Sequence, residues 1–194
     1  KEIGDNKEFS RDIDLLISQT KRCSEILKQI SKKQIEEDSF LNFIRLEDLL
    51  EEIINSFKET SAKKIKLLNQ NDKNKINIHR TPEIIYGLRN FIGNAVKFSK
   101  SEVKIHLKSD ESIIEIKIND DGPGIPEDII NKIGEPYIKS KSKELSSNSG
   151  LGLGTFLGKT LLERQNARLL FKRNSELGGA LITISWSPKT FINA

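Results

Sequence analysis

Asn90, Asn94 and Lys97 stand four and three residues apart in the segment NFIGNAVK, a spacing that puts two carboxamides and an ammonium on one face of a helix. An amide carbonyl is a hard oxygen ligand of the kind Mg2+ accepts beside water and phosphate, so Asn94 is a candidate ligand and Lys97 faces phosphate. Farther along, DDGPG places a carboxylate, Asp120, at the end of a run in which Ile114, Ile116 and Ile118 alternate with polar residues. The same parity turns Asp120 inward with the isoleucines. A buried carboxylate needs a donor, and the exocyclic amine of adenine is one. Gly122 and Gly124 let the backbone turn and approach a ligand closely, while Pro123 stiffens the turn between them. The third block, GLGLG at Gly150, Leu151, Gly152, Leu153 and Gly154, opens a helix, so its amides face phosphate with the helix dipole behind them. In this order the three blocks describe a pocket for ATP and Mg2+ that is not a P-loop.

Each block alone has a plainer meaning: a solvated helix face, a tight Asp-Gly-Pro turn, a glycine-rich loop. Two commoner glycine motifs do not fit. Thr155 stands where the GxGxxG dinucleotide fingerprint needs Gly, and a Walker A ending at Gly158-Lys159-Thr160 needs Gly where the chain has Leu153.

The elements that must position these residues follow from periodicity. Phe9, Ile13, Leu16, Thr20, Cys23, Leu27 and Ile30 recur at alternating steps of four and three, predicting a coiled-coil or bundle helix over Ser10 to Lys33. Its flanks are polar, so its narrow apolar seam calls for a partner helix, and a homodimer through this helix supplies one. The repeat breaks over Gln34 to Asn42, the expected hinge. The expected organisation is a bundle helix over 1–35, a linker over 36–45 and a second domain over 46–194. That domain reads as a helix over Leu46 to Ala62, strands over Lys64 to Asn69 and Lys75 to His79, and a helix from Pro82 to Ser99. A hairpin follows with its turn at Asp110 to Glu111, then a short helix from Glu127 to Ile133 and a Ser/Lys-rich loop from Lys139 to Ser149. A helix runs from the glycine block through Asn166, and two strands, Arg168 to Arg173 and Ala180 to Trp186, close the domain. The expected fold class is α+β, a sandwich with helices on one face of a mixed sheet.

Charge and composition exclude several classes. With 32 Lys+Arg against 28 Asp+Glu, the net charge of +4 is modest and spread along the chain, so no nucleic acid partner is expected. No apolar run approaches the roughly 20 residues needed to span a bilayer, so no membrane contact by this segment is expected either. The single Cys fits a reducing compartment. The chain has no Met and starts in mid-pattern at Lys1, which reads as a fragment of a longer protein.

The three blocks resemble the N, G1 and G2 boxes of the Bergerat-type ATP-binding domain shared by sensor histidine kinases, Hsp90, gyrase B and MutL. Gly134-Glu135-Pro136-Tyr137 resembles the F box that sets histidine kinases apart in this group. The resemblance implies that Asn94 binds Mg2+ with Asn90 beside it, that Lys97 approaches phosphate, that Phe98 and Tyr137 belong to the site and that Asp120 reads the adenine amine. It also makes Lys139 to Ser149 an ATP lid carrying Lys141, with Gly122, Gly124, Gly150, Gly152 and Gly154 shaping pocket and lid.

SQTKRCSEIL, GEPYI and KTLLERQNA look like segments of the RegB/PrrB type of redox-responsive two-component kinase. That resemblance implies a cytoplasmic domain of a bacterial inner-membrane protein, Cys23 as a redox candidate on the second helix of a dimeric bundle, and a response regulator as partner. Cys23 also reads as a small buried residue of the seam. The family's phosphoacceptor, a His followed by Glu, is absent: the only histidines are His79 and His106, both read as surface residues. The implied function is an ATP-dependent protein histidine kinase fragment that phosphorylates a His outside this chain. Two alternatives stand beside it: a nucleotide-binding regulatory module without phosphoryl transfer, and an ATPase clamp of the gyrase, Hsp90 or MutL kind.

Overall fold

The structure is a computed structural model that describes residues 13, 17–22, 43–69, 76–130, 132–135, 153–173 and 177–192. The chain divides into two units, Lys1–Phe40 and Leu41–Ala194. In the first, residues 13 and 17–22 are helical and Ile13 and Ile17 are exposed. The rest of the helix expected over Ser10 to Lys33, Cys23 and the hinge lie outside the described residues.

The second unit begins earlier than its first helix. Phe43–Arg45, assigned to the linker by the sequence, form β1, which pairs antiparallel with β3, Asn77–His79, in a two-stranded sheet. Three residues carry too little periodicity to announce a strand; the pairing partner makes it one. Helix α1, Leu46–Lys58, buries Leu46, Leu49, Leu50, Ile53 and Ile54, which recur at the i, i+3, i+4, i+7 and i+8 positions of one face. Helix α2, Pro82–Phe98, starts where Thr81 accepts a hydrogen bond from the Ile84 amide and Pro82 occupies the first turn.

The main sheet has the order β2-β4-β5-β7-β6, from β2 (Lys64–Asn69), β4 (Glu102–Ser109), β5 (Ile114–Asp120), β6 (Arg168–Arg173) and β7 (Ala180–Trp186). β2 and β4 are parallel and the other neighbours antiparallel, so the sheet is mixed as expected. Val103, Ile105, Ile114, Ile116, Ile118 and Ile184 point to one face and are buried there with Ile84, Leu88, Phe91 and Ala95 of α2.

Several boundaries differ from the sequence reading. α1 ends at Lys58, β3 starts at Asn77, and the helix expected to Ile133 is α3, Glu127–Ile130, followed by a turn over 132–134. Helix α4, Leu153–Arg164, stops two residues short of Asn166, which takes a left-handed φ of 60° while Ala167 N bonds back to Leu162 O. Nor does the chain close on β7: α5, Lys189–Ile192, follows, with the Phe191 ring 5.8 Å from Trp186. Among the described residues no helix is long and apolar enough to cross a membrane.

Candidate functional site

α2 and α4 approach closely because glycines line their contact. A side chain at Gly87 would overlap Leu162, and a Cβ at Gly158 would lie 3.1 Å from the Asn90 Cβ and 3.2 Å from the Phe91 ring. This brings the start of α4 against the polar stripe of α2. Asn90 is 6% exposed rather than solvated; its amide donates to Tyr86 O at 2.8 Å, and its Oδ1 is 3.4 Å from the Cβ that Gly154 lacks. Asn94, one turn on, donates from Nδ2 to the Thr155 hydroxyl at 3.2 Å. That bond fixes the plane of the amide, and its carbonyl oxygen is the hard donor Mg2+ would take. Lys97 is exposed, with Nζ 5.3 Å from the centre of the half-buried Phe98 ring.

Asp120 sits where parity placed it, 4% exposed at the end of β5 beyond the buried isoleucines. Its Oδ1 accepts from Gly122 N at 2.8 Å and Ala180 N at 3.1 Å. Burial is the main influence on this carboxyl and raises its pKa; the two amides and Lys63 oppose the rise, and the neighbouring Asp121 adds to it. Glycines crowd the group on both sides. A Cβ at Gly122 would collide with the Phe98 carbonyl, and one at Gly179 would collide with the backbone and carboxylate of Asp120. Gly124, at φ +80°, lies against the backbone of Gly178 and Gly179.

Asn90, Asn94, Lys97, Phe98, Asp120, Gly122, Gly124, Leu153 and Gly154 are thus carried by α2, the β5 end and the start of α4. Tyr137, Lys141, Gly150, Leu151, Gly152 and the lid expected over Lys139 to Ser149 lie outside the described residues. Sequence reasoning missed Gly178-Gly179, Thr155, Lys63 and Asp121. Only the Gly-Gly pair before the last strand carried a local signal. His79, read as a surface residue, is half-buried with its ring 4.1 Å from Phe43.

The family model described as histidine kinase-, DNA gyrase B-, and HSP90-like ATPase matches residues 79–190, more than half of the chain. The chain belongs to that ATPase family. Among members of this family, the sensor histidine kinase RegB of Cereibacter sphaeroides is 31% identical over 205 aligned positions, which take in 96% of this chain and 44% of RegB. The histidine protein kinase SaeS of Staphylococcus aureus is 26% identical over 187 positions, 91% of this chain and 53% of SaeS. The chain therefore spans about half the length of these relatives. The mycobacterial sensor histidine kinase MprB shares the fold, with a TM-score of 0.64 and 19% identity, over 75% of this chain and 97% of the MprB structure. The ATP-binding fold and the RegB resemblance read from the motifs agree with these matches.

Asp121 contributes to the fold beside the site. Its carboxylate accepts from the amides of Lys100, Ser101 and Glu102 and from the Ser101 hydroxyl. Partial burial would raise its pKa, but these donors outweigh burial and hold the carboxyl at about 2. A carboxyl lowered by folding contributes stability that is present above its unfolded pKa, about 3.9, and is lost as pH falls through the folded value. Asp121→Asn is expected to flatten the acid limb of stability between about pH 4 and pH 2, measured by urea unfolding across that range. An acid limb identical to that of the unsubstituted chain would contradict it.

Proposed function

We propose that this chain is the ATP-binding, catalytic part of a sensor histidine kinase, in which ATP lies between α2, the end of β5 and the start of α4. The observation that carries this reading is Asp120: a carboxylate 4% exposed, held at one oxygen by two amides, in a cradle where glycines at 122 and 179 leave no room for side chains. The adenine amine donates to this carboxylate, with Phe98 beside the base. Asn94 offers its carbonyl oxygen to Mg2+, Lys97 faces the phosphates, and the helix start at Leu153–Gly154 directs amides toward them. Bound Mg2+ neutralises charge on the triphosphate. The protein's share of catalysis is positioning and charge stabilisation.

The γ-phosphoryl passes to an imidazole nitrogen outside this chain, a P–N bond forming as the P–O bond to ADP breaks, and from there to an aspartate of a response regulator. His79 is paired within the β1–β3 sheet with its ring tilted against Phe43, and His106 lies mid-strand in β4, so neither sits on a helix before a Glu. Supplied with γ-labelled ATP and a separate helix bearing a His-Glu pair, this chain is expected to place acid-labile label on the helix and none on itself. Self-labelling that disappears in His79→Ala or His106→Ala would overturn this assignment. The homodimer through the N-terminal helix and the membrane location of the whole protein belong to the same proposal. Redox responsiveness enters it through the similarity to RegB alone, and a redox response that survives Cys23→Ser would remove this thiol from it.

A further inference from the structure

The corner that joins α2 to β4 is gripped by two side chains to which the motif reading assigned no role, Lys63 and Asp121. Lys63, just before β2, reaches across to the end of α2, where its ammonium donates to Val96 O, to Lys97 O at 3.2 Å and to Ser99 O at 2.6 Å. These are carbonyls of the final helical turn and cap, the partly negative end of the helix, which a cation both satisfies and stabilises. From the other side Asp121 takes the amides of the next three residues, Lys100 at 2.8 Å, Ser101 at 3.0 Å and Glu102 at 3.1 Å. Lys64 N adds a bond to Ser101 O at 2.9 Å. A cation on carbonyls and an anion on amides thus hold residues 96–102 between them. Within that stretch stand Lys97 and Phe98, and the Phe98 carbonyl packs where Gly122 lacks a side chain.

We propose that Lys63 and Asp121 are positioning residues of the nucleotide site: by gripping the 96–102 corner they set where Lys97 and Phe98 stand relative to Asp120, and so set nucleotide affinity without touching the nucleotide. This rests on the reading of the site as an ATP pocket. The two residues also act on Asp120 with opposite sign, the Lys63 charge lowering its pKa and the Asp121 charge raising it. A purely structural cap would support the fold and leave affinity untouched.

The test is calorimetric titration of the whole chain with MgATP from acid to neutral pH, comparing Lys63→Met, Lys63→Arg, Asp121→Asn and Asp120→Asn, with folding of each checked by circular dichroism. At neutral pH, Lys63→Met and Asp121→Asn are expected to bind about tenfold more weakly, the scale seen when the support behind a ligand-contacting group is removed, and Lys63→Arg to recover most of the loss. The pH at which binding fails should move up in Lys63→Met, where a charge that lowers the Asp120 pKa is gone, and down in Asp121→Asn. Should Lys63→Met not fold, the affinity of Asp121→Asn decides the matter. Affinities of the folded variants within twofold of the unsubstituted chain overturn the proposal; with binding lost in Asp120→Asn, that result leaves the ATP reading standing. Absence of MgATP binding to the unsubstituted chain overturns the ATP reading and this inference together.

Discussion

Asp120→Asn is expected to leave the fold standing and to weaken ATP binding by roughly 10- to 100-fold. The substituted amide keeps one carbonyl oxygen, enough to accept from Gly122 N and Ala180 N as Oδ1 does now. It also relieves the burial of a charge that raises the carboxyl's pKa, so stability should hold or rise slightly. The other position becomes an NH2, a donor facing the donor of the adenine amine. A hydrogen bond to a charged group contributes about 1.5–3 kcal/mol, and each 1.4 kcal/mol is a tenfold change in affinity. Calorimetry with ATP and a parallel urea titration separate the two effects. Unchanged affinity would remove Asp120 from the site, whereas loss of both affinity and fold would make it a structural residue. The same chemistry has a pH signature: acidification protonates the acceptor, and because burial raises its pKa, binding should fail at a higher pH than an exposed aspartate would allow.

Phe91→Ala is expected to cost about 3–5 kcal/mol of stability, a large share of the roughly 5–15 kcal/mol that holds a domain of ordinary stability together. Phe91 is fully buried, its ring 5.9 Å from Phe171 on β6 and close to the glycine face of α4 at Gly158. Truncation opens a cavity where the sheet, α2 and α4 meet, on the helix that carries Asn90 and Asn94. Leu170→Ala, on the same β6 but 58% exposed, is the control and should change stability little. Urea unfolding of the two variants checks the contrast, and a Phe91→Ala loss below about 1 kcal/mol would contradict the packing described.

The sequence alone determined the periodic parts of this protein. Alternation over Val103 to Leu107 and Ile114 to Ile118 identified two strands and turned Asp120 inward; the proline ahead of Ile84 marked the start of α2. Such features are written in neighbouring residues, because side-chain parity and helix capping are local. Tertiary structure decided the rest. β1 exists through its pairing with Asn77–His79, Asn90 is buried because Gly154 and Gly158 let α4 lie against it, and Lys63 reaches the end of α2 across 33 residues of chain. Gly179 became part of the Asp120 cradle only when β7 was laid beside β5. None of these contacts has a period to read, since each depends on which surfaces the packed sheet and helices bring together.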